Sequence, residues 1–413
     1  MEKVVITGIG VLSACGNTPA ELWANLAAGR SGVGRVTRVD ASRLQINVCG
    51  EVREFQPEQH FGKEVDFLDR FAQFAVVCAR AALADAGWPR RLDTNGGPPP
   101  QRIAVITGTA LGGVESEDRG FHQLYARQAT RLHPFSIPRM MFNAGTSHIT
   151  MDTGARGISF AISTACASST HALGEAWRLV QSGLADMALA GGSDAPLTLG
   201  VFKAWEAMRV MAPPGDNPAA ACRPFSADRA GLVLAEGAAV FVLERESLAR
   251  QRGARIYGEL AGYGASADAG HITQPTLDGP LSAMRAALES AQLDPSEVDY
   301  INAHGTGTKL NDATESVAIR ELLGARAGEV SVSSTKSMHG HAMGASGALE
   351  LAVTLLAMGH QVAPPTANFT RRDPACDLDV TPNQARPRRI RAALSNSFAF
   401  GGLNAVLAVR EYR

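Results

Sequence analysis

Several features are scarce or absent in this sequence, and each absence excludes a class of protein. The 413 residues include 39 basic and 40 acidic side chains, which leaves a formal net charge of −1. A nucleic-acid-binding protein is expected to be strongly basic, so we predict no nucleic-acid partner. No stretch reaches the roughly 18 charge-free apolar residues of a membrane-spanning helix, so we expect no membrane span. The start, "MEKVVITGIG", lacks the features of a secretory signal.

Cysteine is scarce and unpaired. The six cysteines are scattered, at positions 15, 49, 78, 166, 222 and 376. None has the short paired spacing of a zinc site, and six thiols in so long a chain do not make a disulfide framework. We therefore expect a reduced, cytoplasmic protein. Each cysteine is first expected to pack as a small apolar residue, and a catalytic role needs support from its surroundings.

Short apolar runs, by contrast, are abundant and alternate with helical patterns. Near-continuous apolar runs predict strands that are buried on both faces of a sheet. They cover residues 4–10, 103–113, 187–195, 237–244, 298–308, 330–337, 392–402 and 403–409. Helical periodicity lies between them, for example at 68–86 and 282–291. The alternation predicts an α/β fold.

The two halves of the chain are alike in pattern but only weakly alike in sequence. Each half passes through a Ser/Thr-rich segment into a small-residue helix, at 163–183 and at 333–358, and then closes on a pair of strands. We interpret this as a structural duplication. The predicted division places the N-terminal half at 1–255 and the C-terminal half at 256–413.

One cysteine has a distinctive position. Cys166 lies in "STACASSTHALGEAW", at the start of a predicted helix with one apolar face. Ser163 and Thr164 are good N-cap residues, and Gly183 is a natural residue to follow the helix. Free N–H groups and the helix dipole favour a thiolate in the first turn. Tight packing of a small residue explains the position equally well, so the helix alone leaves both interpretations open.

Basic side chains follow two predicted strands of the second half. His304 lies in "NAHGTGTKLND", and Lys336, His339 and His341 lie in "SSTKSMHGHAMGASGALE". In α/β proteins, catalytic groups gather on loops at strand ends. A lone histidine is more often structural, but histidines and a lysine together in such loops favour a shared site.

The stretch "SFAFGGLN" is another loop of this kind. Phe398 and Phe400 flank Ala399, and Gly401 and Gly402 follow. Glycine lets a backbone N–H approach a substrate closely, so this loop could supply an oxyanion donor. A turn with two core aromatic residues is the alternative interpretation.

Together these stretches resemble the β-ketoacyl-acyl carrier protein synthases, which are condensing enzymes of the thiolase fold. The matching motifs are "TACAS", "NAHGTGT", "STKSMHGH" and "FAFGG", in the family's order, and the resemblance covers essentially the whole chain. Within the family the chain looks like the KAS II branch, and it is most similar to the nodulation-type ketosynthases. "AGGSDAPL", "KAWEAMR" and "SADAGHIT" are among the stretches that carry this finer placement. The resemblance implies two pseudo-duplicated halves in a five-layered αβαβα core.

The resemblance also implies the reaction, a decarboxylative Claisen condensation. Cys166 would take an acyl group from carrier-bound phosphopantetheine, with its own N–H and that of Phe400 as the oxyanion hole. His304 and His341 would promote loss of CO₂ from malonyl-carrier and stabilise the enolate that attacks the acyl thioester. Lys336 would orient this cluster.

Further substrate-binding residues are implied by the same resemblance. Thr306 and Thr308 would bind the pantetheine amide region, and Phe398 would gate access as its loop moves. Leu111 matches a position that limits acyl chain length, although simple core packing also explains it. Glu315 is expected to form an ion pair with the active-site lysine.

We expect no catalytic metal or redox cofactor, because decarboxylation itself supplies the carbanion. The resemblance admits a structural monovalent cation, since Asn302, Glu350 and Asn396 match positions that hold one in some relatives. A helix carboxylate paired elsewhere is the alternative for Glu350. A homodimer is expected, because a partner subunit completes the acyl tunnel in this family and segment 131–141 lies where such elements fall.

The chain departs from the family pattern in three places. His339 replaces the usual threonine beside the lysine, and Leu403 replaces the threonine that usually follows "FGG". Segment 63–71 is acidic where many relatives carry basic side chains for the anionic carrier, which favours a specialised acyl carrier protein. Three arginines are candidates for carrier docking, with a solvated surface charge as the alternative for each: Arg127, Arg131 and Arg209.

The motifs argue against two other functions. A non-catalytic partner subunit of the chain-length-factor type would lack the cysteine that stands here at position 166. A thiolase-type acyl transferase on coenzyme A esters would carry a second cysteine near its C-terminus, where this chain has residues 398–402 of the "FAFGG" loop. The motifs do not fix the acyl length, its unsaturation or the pathway.

Overall fold

The structure, a computed structural model, describes residues 2–93 and 97–413. Its strands are β1 (Val4–Leu12), β2 (Val33–Arg35), β3 (Val48–Gly50), β4 (Ile103–Gly108), β5 (Ser159–Ile162), β6 (Met187–Asp194), β7 (Gly237–Arg245), β8 (Gly258–Ala267), β9 (Tyr300–Asn302), β10 (Ser331–Ser333), β11 (Val362–Ala363), β12 (Arg386–Pro387), β13 (Ala392–Phe398) and β14 (Leu403–Arg410). Its α-helices are α1 (Pro19–Ala27), α2 (Pro57–Phe61), α3 (Arg70–Asp85), α4 (Val114–Phe121), α5 (Ser136–Met140), α6 (Ala144–Thr153), α7 (Ser168–Gln181), α8 (Leu199–Met208), α9 (Glu246–Gln251), α10 (Asp278–Ala291), α11 (Lys309–Leu323), α12 (Lys336–His339) and α13 (Ser346–His360).

A ten-stranded mixed sheet contains the duplication predicted from the sequence. Its strand order is β10-β9-β13-β14-β8-β1-β7-β6-β4-β5. Counted outward from the central pair, the first half runs β1-β7-β6-β4-β5 and the second runs β8-β14-β13-β9-β10, which is the same order within each half. In both halves the two inner pairings are antiparallel and the two outer ones are parallel.

Helices complete a five-layered αβαβα arrangement, as the fold prediction stated. Helices α7 and α13 pack on each other and contact strands of both halves, so they form the central layer. Helices α3 and α6 cover the outer face of the first half, and α10 and α11 cover that of the second. The close approach of α3 depends on glycine, because a Cβ on Gly10 of β1 would lie 2.0 Å from the carbonyl oxygen of Cys78.

The two central helices begin in the same way. A single helical turn of residues Ala165–Ala167 leads into α7, and a similar turn of Met343–Ala345 leads into α13. The first residue of each turn has a positive φ, 49° at Ala165 and 48° at Met343. The two turns contact each other, so the duplication brings together the ends of β-α connections from both halves.

The predicted strands and helices are present, usually with shorter ends. Helix α3 matches the pattern at 68–86, and α10 includes the pattern at 282–291. Strands β5 and β8 were not predicted, because the first has only four residues and the second is interrupted by glycines in "GELAGYGASA". Across the described ranges, no helix combines the length and apolar character needed to cross a bilayer.

Candidate active site

Cys166 lies at the centre of the chain's central layer, between β5 and α7. Its side chain is buried in the core that also contains residues of α7 and α13. The positive φ of Ala165 turns the chain sharply just before it. Ser168 closes this turn, because its Oγ accepts a hydrogen bond from the N–H of Thr164 (2.9 Å) and donates to the carbonyl of Ala165 (2.6 Å). The N-cap residue of α7 is Ala167, and the side chain of Thr164 forms no cap hydrogen bond, so the prediction that Ser163 or Thr164 caps this helix is wrong.

His341 is the imidazole in contact with the sulfur. Its Nε2 lies 3.1 Å from Cys166 Sγ, and its Nδ1 lies 2.7 Å from Ser346 Oγ. We assign the single proton of the neutral imidazole to Nδ1, which then donates to Ser346 Oγ and leaves Nε2 free to accept the thiol proton. Ser346 is the first residue of α13 and was not identified from the sequence, although it lies inside the quoted "MGASGALE" stretch.

His304 presents its other ring nitrogen to the same cavity. Lys336 Nζ lies 3.4 Å from His304 Nδ1 and donates to the His304 carbonyl at 2.6 Å. A charged lysine only donates, so Nδ1 acts as the acceptor and Nε2 carries the proton. The rings of His304 and His341 meet edge to face with centroids 5.5 Å apart. Ligand-type atoms of both histidines and of Cys166 lie within 4.8 Å of one another.

Lys336 forms an ion pair with Glu350, and both side chains are fully buried. The predicted ion pair between Lys336 and Glu315 is therefore wrong. Glu315 instead accepts hydrogen bonds from the backbone N–H groups of His304 (2.8 Å) and Gly305 (2.7 Å). It lies behind the His304 loop and does not line the cavity, so its contact with substrate is not supported by the geometry.

Burial decides the protonation of the reacting groups. Burial raises the pKa of the Cys166 thiol to about 11, although the charge of Lys336 and the facing N–H groups of Phe400 and Cys166 lower it. Burial, followed by the charge of Lys336, lowers the pKa values of His304 and His341 well below the usual value. At neutral pH the site thus holds a thiol and two neutral imidazoles. The thiolate that the helix start favoured is not the resting form, because desolvation outweighs the helix end here.

A cavity of about 540 Å³ leads from Cys166 to the surface. Thr306 and Thr308 lie on its wall with their hydroxyls 2.9 Å apart, and Arg209 lies at its mouth. The predicted site residues that line this cavity are the following: Cys166, Arg209, His304, Thr306, Thr308, His341, Phe398 and Phe400. A single channel therefore connects the surface to the sulfur and both imidazoles.

Aromatic rings close the channel near the sulfur. Phe400 stacks on Trp205 with centroids 5.9 Å apart, and Phe398 meets the ring of His304 at 6.1 Å. The loop between the phenylalanines and β14 is tied to the opposite wall, because Gly401 N–H donates to the carbonyl of Ile272 (2.8 Å). Trp205 was not predicted as a site residue, although it lies in the quoted stretch "KAWEAMR".

Several predicted residues lie away from this channel. Arg127 and Arg131 are exposed and do not line it. Leu111 is half-buried beyond β4, where its N–H donates to Asp194 Oδ1 at 3.2 Å. His339 is buried, its Nε2 lies 3.0 Å from Thr335 Oγ1, and it does not line the cavity. The imidazole that contacts Cys166 is therefore His341 and not His339.

A group of oxygen atoms near Lys336 lacks hydrogen-bond partners among the described residues. They are Asn302 Oδ1, Glu350 Oε2, Ser395 Oγ and Asn396 Oδ1, all buried. Asn302 and Ser395 are register partners on β9 and β13, and Asn302 Nδ2 donates to the Glu350 carbonyl at 3.3 Å. Hard cations prefer oxygen ligands, so these residues fit the monovalent cation that the sequence admitted.

Comparison with known proteins agrees with this geometry. The sequence profile described as "Beta-ketoacyl synthase, N-terminal domain" matches residues 1–249, and "Beta-ketoacyl synthase, C-terminal domain" matches residues 257–370. Nodulation protein E of Rhizobium sp. (strain N33) is 44% identical over 410 residues, which are 99% of each chain. The 3-oxoacyl-[acyl-carrier-protein] synthase 2 of Staphylococcus aureus (strain N315) is 40% identical over 414 residues, which cover 100% of this chain and 99% of the relative.

Among solved structures, the ishigamide ketosynthase/chain length factor resembles this chain over its whole length. The TM-score is 0.92 at 37% sequence identity, and the match covers 100% of both chains. The similarity therefore extends to the entire arrangement of sheet and central helices that positions Cys166, His304 and His341.

Proposed function

The chain belongs to the β-ketoacyl synthase family, and from this membership we propose a role for each side chain of the site. It is an acyltransferase that condenses a carrier-bound acyl chain with malonyl-acyl carrier protein in fatty acid or polyketide synthesis. The products are CO₂ and a 3-oxoacyl chain on the carrier. The single observation that carries the assignment of roles is the 3.1 Å contact between Cys166 Sγ and His341 Nε2, beside His304.

In the first half-reaction Cys166 is the nucleophile and His341 is its base. The thiol proton passes to His341 Nε2 as Sγ attacks the thioester carbonyl of the incoming acyl-carrier. The N–H groups of Cys166 and Phe400, which face the sulfur, would stabilise the oxyanion. When the tetrahedral intermediate collapses, the pantetheine sulfur leaves and takes up a proton from His341.

In the second half-reaction His304 is the proton donor to the malonyl thioester, with the ring of His341 beside it. Nε2 of His304 carries its proton toward the cavity, because Lys336 occupies Nδ1. It would donate to the thioester oxygen of malonyl-carrier as the carboxylate leaves as CO₂, so that the bond electrons form an enolate. The enolate carbon attacks the acyl carbonyl on Cys166, and the C–S bond breaks as the 3-oxoacyl chain leaves on the carrier. Cys166 departs as a thiolate and takes up a proton from solvent, which restores the resting thiol.

The channel suits an extended thiol arm rather than a compact substrate. We assign Thr306 and Thr308 to the pantetheine amide region, because both hydroxyls lie on the channel wall between the surface and His304. Phe398 and Phe400 would gate the channel, since their rings lie against His304 and Trp205.

A cysteine substitution tests the proposed chemistry. Cys166→Ala is expected to gain no acyl mass from acyl-carrier and to form no 3-oxoacyl product from malonyl-carrier. Cys78→Ala is the matched control, because Cys78 is equally buried but lies in α3, in a different core cluster. Condensation by Cys166→Ala at the wild-type rate would contradict the assignment.

We propose that a second chain covers the β5 end of the sheet. Among the described residues this strand is the outermost of its half and pairs only with β4, and Ile158 and Phe160 are 44% and 39% exposed. Edge strands that expose apolar residues tend to pair. A homodimer is expected to give twice the 43.4 kDa chain mass by light scattering. If the protein alone has the mass of one chain, and the mass doubles only when a chain-length-factor subunit is added, the assembly is a heterodimer instead. That pairing is the one named for the ishigamide relative.

We propose that the carrier docks at the mouth of the channel. Arg209 lies there with exposed Lys309, and the exposed apolar side chains of Met208, Ile272 and Leu310 surround them. Arg127 and Arg131 extend the basic surface only if a partner subunit brings its own copies near this mouth. Acidic side chains in segment 63–71 are the reason for proposing a specialised carrier.

We also propose a cytoplasmic location, in which the six free cysteines would stay reduced.

A structural monovalent cation is proposed beside the Lys336–Glu350 pair. Asn302, Glu350 and Ser395 would hold it with their unpartnered oxygens, and Asn396 would contribute if its side chain turns toward them. The cation would fix the strand ends behind His304 and would take no part in bond making. Melting temperature is expected to be higher in potassium or sodium chloride than in choline chloride, and Asn302→Ala should abolish this difference. Equal melting temperatures for the wild type in all three salts would contradict the proposal.

A further inference from the structure

Asp194 is a buried carboxylate without an assigned task in the condensation. It is the last residue of β6, and each of its two carboxylate oxygens accepts two hydrogen bonds. Oδ1 accepts from Thr109 Oγ1 (2.7 Å) and from the N–H of Leu111 (3.2 Å). Oδ2 accepts from the N–H groups of Ala110 (2.8 Å) and Gly344 (2.7 Å). One side chain therefore joins the end of β6 to two other segments, one from each half of the chain.

Four hydrogen-bond donors, rather than a basic side chain, balance the charge of this carboxylate. Among the described residues no basic side chain forms an ion pair with Asp194, so its charge is balanced by N–H and O–H groups alone. Burial raises its pKa to about 6, and the four donors oppose that rise. An ionised carboxylate accepts only, which matches a site that offers only donors. Replacing it would leave buried backbone N–H groups without partners.

One arm of this contact reaches the catalytic histidine. Gly344 lies in the turn Met343–Ala345, between His341 and the Ser346 hydroxyl that contacts His341 Nδ1. The approach is so close that a Cβ on Gly344 would lie 2.6 Å from Asp194 Oδ2 and 2.5 Å from the nitrogen of Ala110. The carboxylate thus fixes the turn on which the orientation of the imidazole depends.

The other arm holds the segment that follows β4. Asp194 binds Thr109, Ala110 and Leu111 in succession, and Thr109 Oγ1 also accepts from the N–H of Gly112 at 3.0 Å. Leu111 is the residue expected to stop the acyl chain. Its main chain is therefore anchored to the same carboxylate as the turn beside His341, through Oδ1 rather than Oδ2.

We propose that Asp194 is a positioning residue that holds the acyl-chain stop at Leu111 and the catalytic imidazole of His341 in one fixed relation. The proposal rests on the proposed function, because it takes Leu111 as the stop and His341 as the base of Cys166. It predicts that a single carboxylate controls two separate properties, the reactivity of the thiol and the length of the product.

Asp194→Asn tests the proposal with two readouts. The amide has one acceptor oxygen, so it cannot satisfy all four donors. Alkylation of Cys166 by iodoacetamide at pH 7.5, followed on the Cys166 peptide by mass spectrometry, is expected to slow by at least about tenfold, as for a misplaced reacting group. The product-length distribution from an acyl-carrier panel is expected to broaden. Asp186→Asn is the control, because Asp186 directly precedes the other end of β6 and pairs with Arg102.

The sign of the alkylation change separates positioning from a simple field effect. The charge of Asp194 raises the pKa of Cys166, so its removal alone would speed alkylation. Faster or unchanged alkylation in a folded Asp194→Asn, or an unchanged product distribution, would overturn the proposal. Alkylation reports on the thiol without any carrier, so this outcome is distinct from a failure of the proposed condensation, which Cys166→Ala tests.

Thr109→Val keeps the proposal testable if Asp194→Asn does not fold. It removes one of the four donors, keeps the side-chain shape and leaves the Gly344 contact in place. We expect a moderately lower melting temperature, because Asp194 Oδ1 and the N–H of Gly112 each lose a partner. We also expect a broadened product distribution and alkylation of Cys166 slowed to a smaller extent than in Asp194→Asn. A product distribution identical to that of the wild type would overturn the link between this carboxylate and the acyl stop.

Discussion

His341 Nε2 lies 3.1 Å from Cys166 Sγ, and both groups are buried in a region that favours their neutral forms. The pair is therefore a thiol beside a base, rather than a preformed thiolate beside an imidazolium. Such a thiol reacts when the attacking step itself moves the proton to Nε2. At neutral pH the reactivity of this thiol therefore depends on the position of His341 Nε2.

The first prediction concerns the pH dependence of this thiol. Because the pKa of Cys166 is raised to about 11, its thiolate fraction grows with pH across the whole neutral range. The rate of alkylation by iodoacetamide through the thiolate is expected to rise by about tenfold per pH unit between pH 8 and pH 10. Any reaction assisted by His341 at neutral pH adds a constant rate to this. Peptide mass spectrometry of timed samples measures it. A plateau reached near pH 7 would instead indicate a preformed ion pair.

The second prediction separates the two neighbouring histidines. His341→Ala removes the base in contact with the sulfur, and condensation is expected to fall by about 10²–10⁴-fold. His339→Ala is the matched variant, because His339 is equally buried but contacts Thr335 instead. It is expected to keep turnover close to that of the wild type, because His339 does not line the cavity that holds Cys166. Comparable losses of condensation activity in the two variants would show that His341 is not the specific base for Cys166.

The third prediction concerns the buried ion pair. Lys336→Ala leaves Glu350 buried without its partner, which is expected to lower the free energy of unfolding by about 3–5 kcal/mol at pH 7.5. Burial raises the pKa of Glu350 above its value in the unfolded chain. The folded state therefore favours the protonated carboxyl group, and the free energy of unfolding falls as rising pH ionises it. The deficit of the variant should therefore shrink at pH 5.5, where Glu350 is protonated. Urea unfolding at both pH values measures it.

A control and a contrary outcome complete the test of this pair. Lys203→Ala removes a lysine from an exposed pair with Glu206, and we expect a change of no more than about 1 kcal/mol at either pH. A Lys336→Ala deficit that is equal at pH 5.5 and pH 7.5 would show that Glu350 does not take up a proton in the folded variant.

The fourth prediction concerns carrier docking. Arg209→Glu reverses a charge at the channel mouth, so KM for acyl-carrier is expected to rise by about tenfold while kcat stays close to the wild-type value. The difference should shrink at high salt. Arg285→Glu, an exposed arginine of α10 that does not line the channel, is the control. Arg127→Glu tests whether a partner subunit brings that side chain to the mouth. An unchanged KM in both Arg209→Glu and Arg127→Glu would show that the carrier does not dock at the channel mouth.

Much of the fold could be predicted because its signals are local. The apolar runs and the repeated Ser/Thr-to-helix transitions identified the strands and the duplication, and the motif order placed Cys166, His304 and His341 in one site. Strand β8 escaped prediction because its glycines interrupt the apolar run, yet those glycines allow α10 to pack closely: a Cβ on Gly264 would lie 2.1 Å from the Ala283 carbonyl. That requirement exists only in three dimensions.

The second layer of the site was harder to predict for the same reason. Glu315 and Glu350 are both helix carboxylates near a lysine motif, and only the packing of α11 and α13 decides which of them meets Lys336. Ser346 and Asp194 act through neighbouring segments, so no local pattern marks them. The protonation of Cys166 depended on burial, which the start of a helix does not reveal.

The paired turns before α7 and α13 explain why the repeated architecture has one nucleophile. Ala165 and Met343 share the left-handed backbone, so Cys166 and Gly344 stand second in corresponding turns. The tight fit around Gly344 leaves no room there for any side chain, let alone a second thiol. With Cys166 as the proposed nucleophile, acyl loading is therefore expected to saturate at one equivalent per polypeptide.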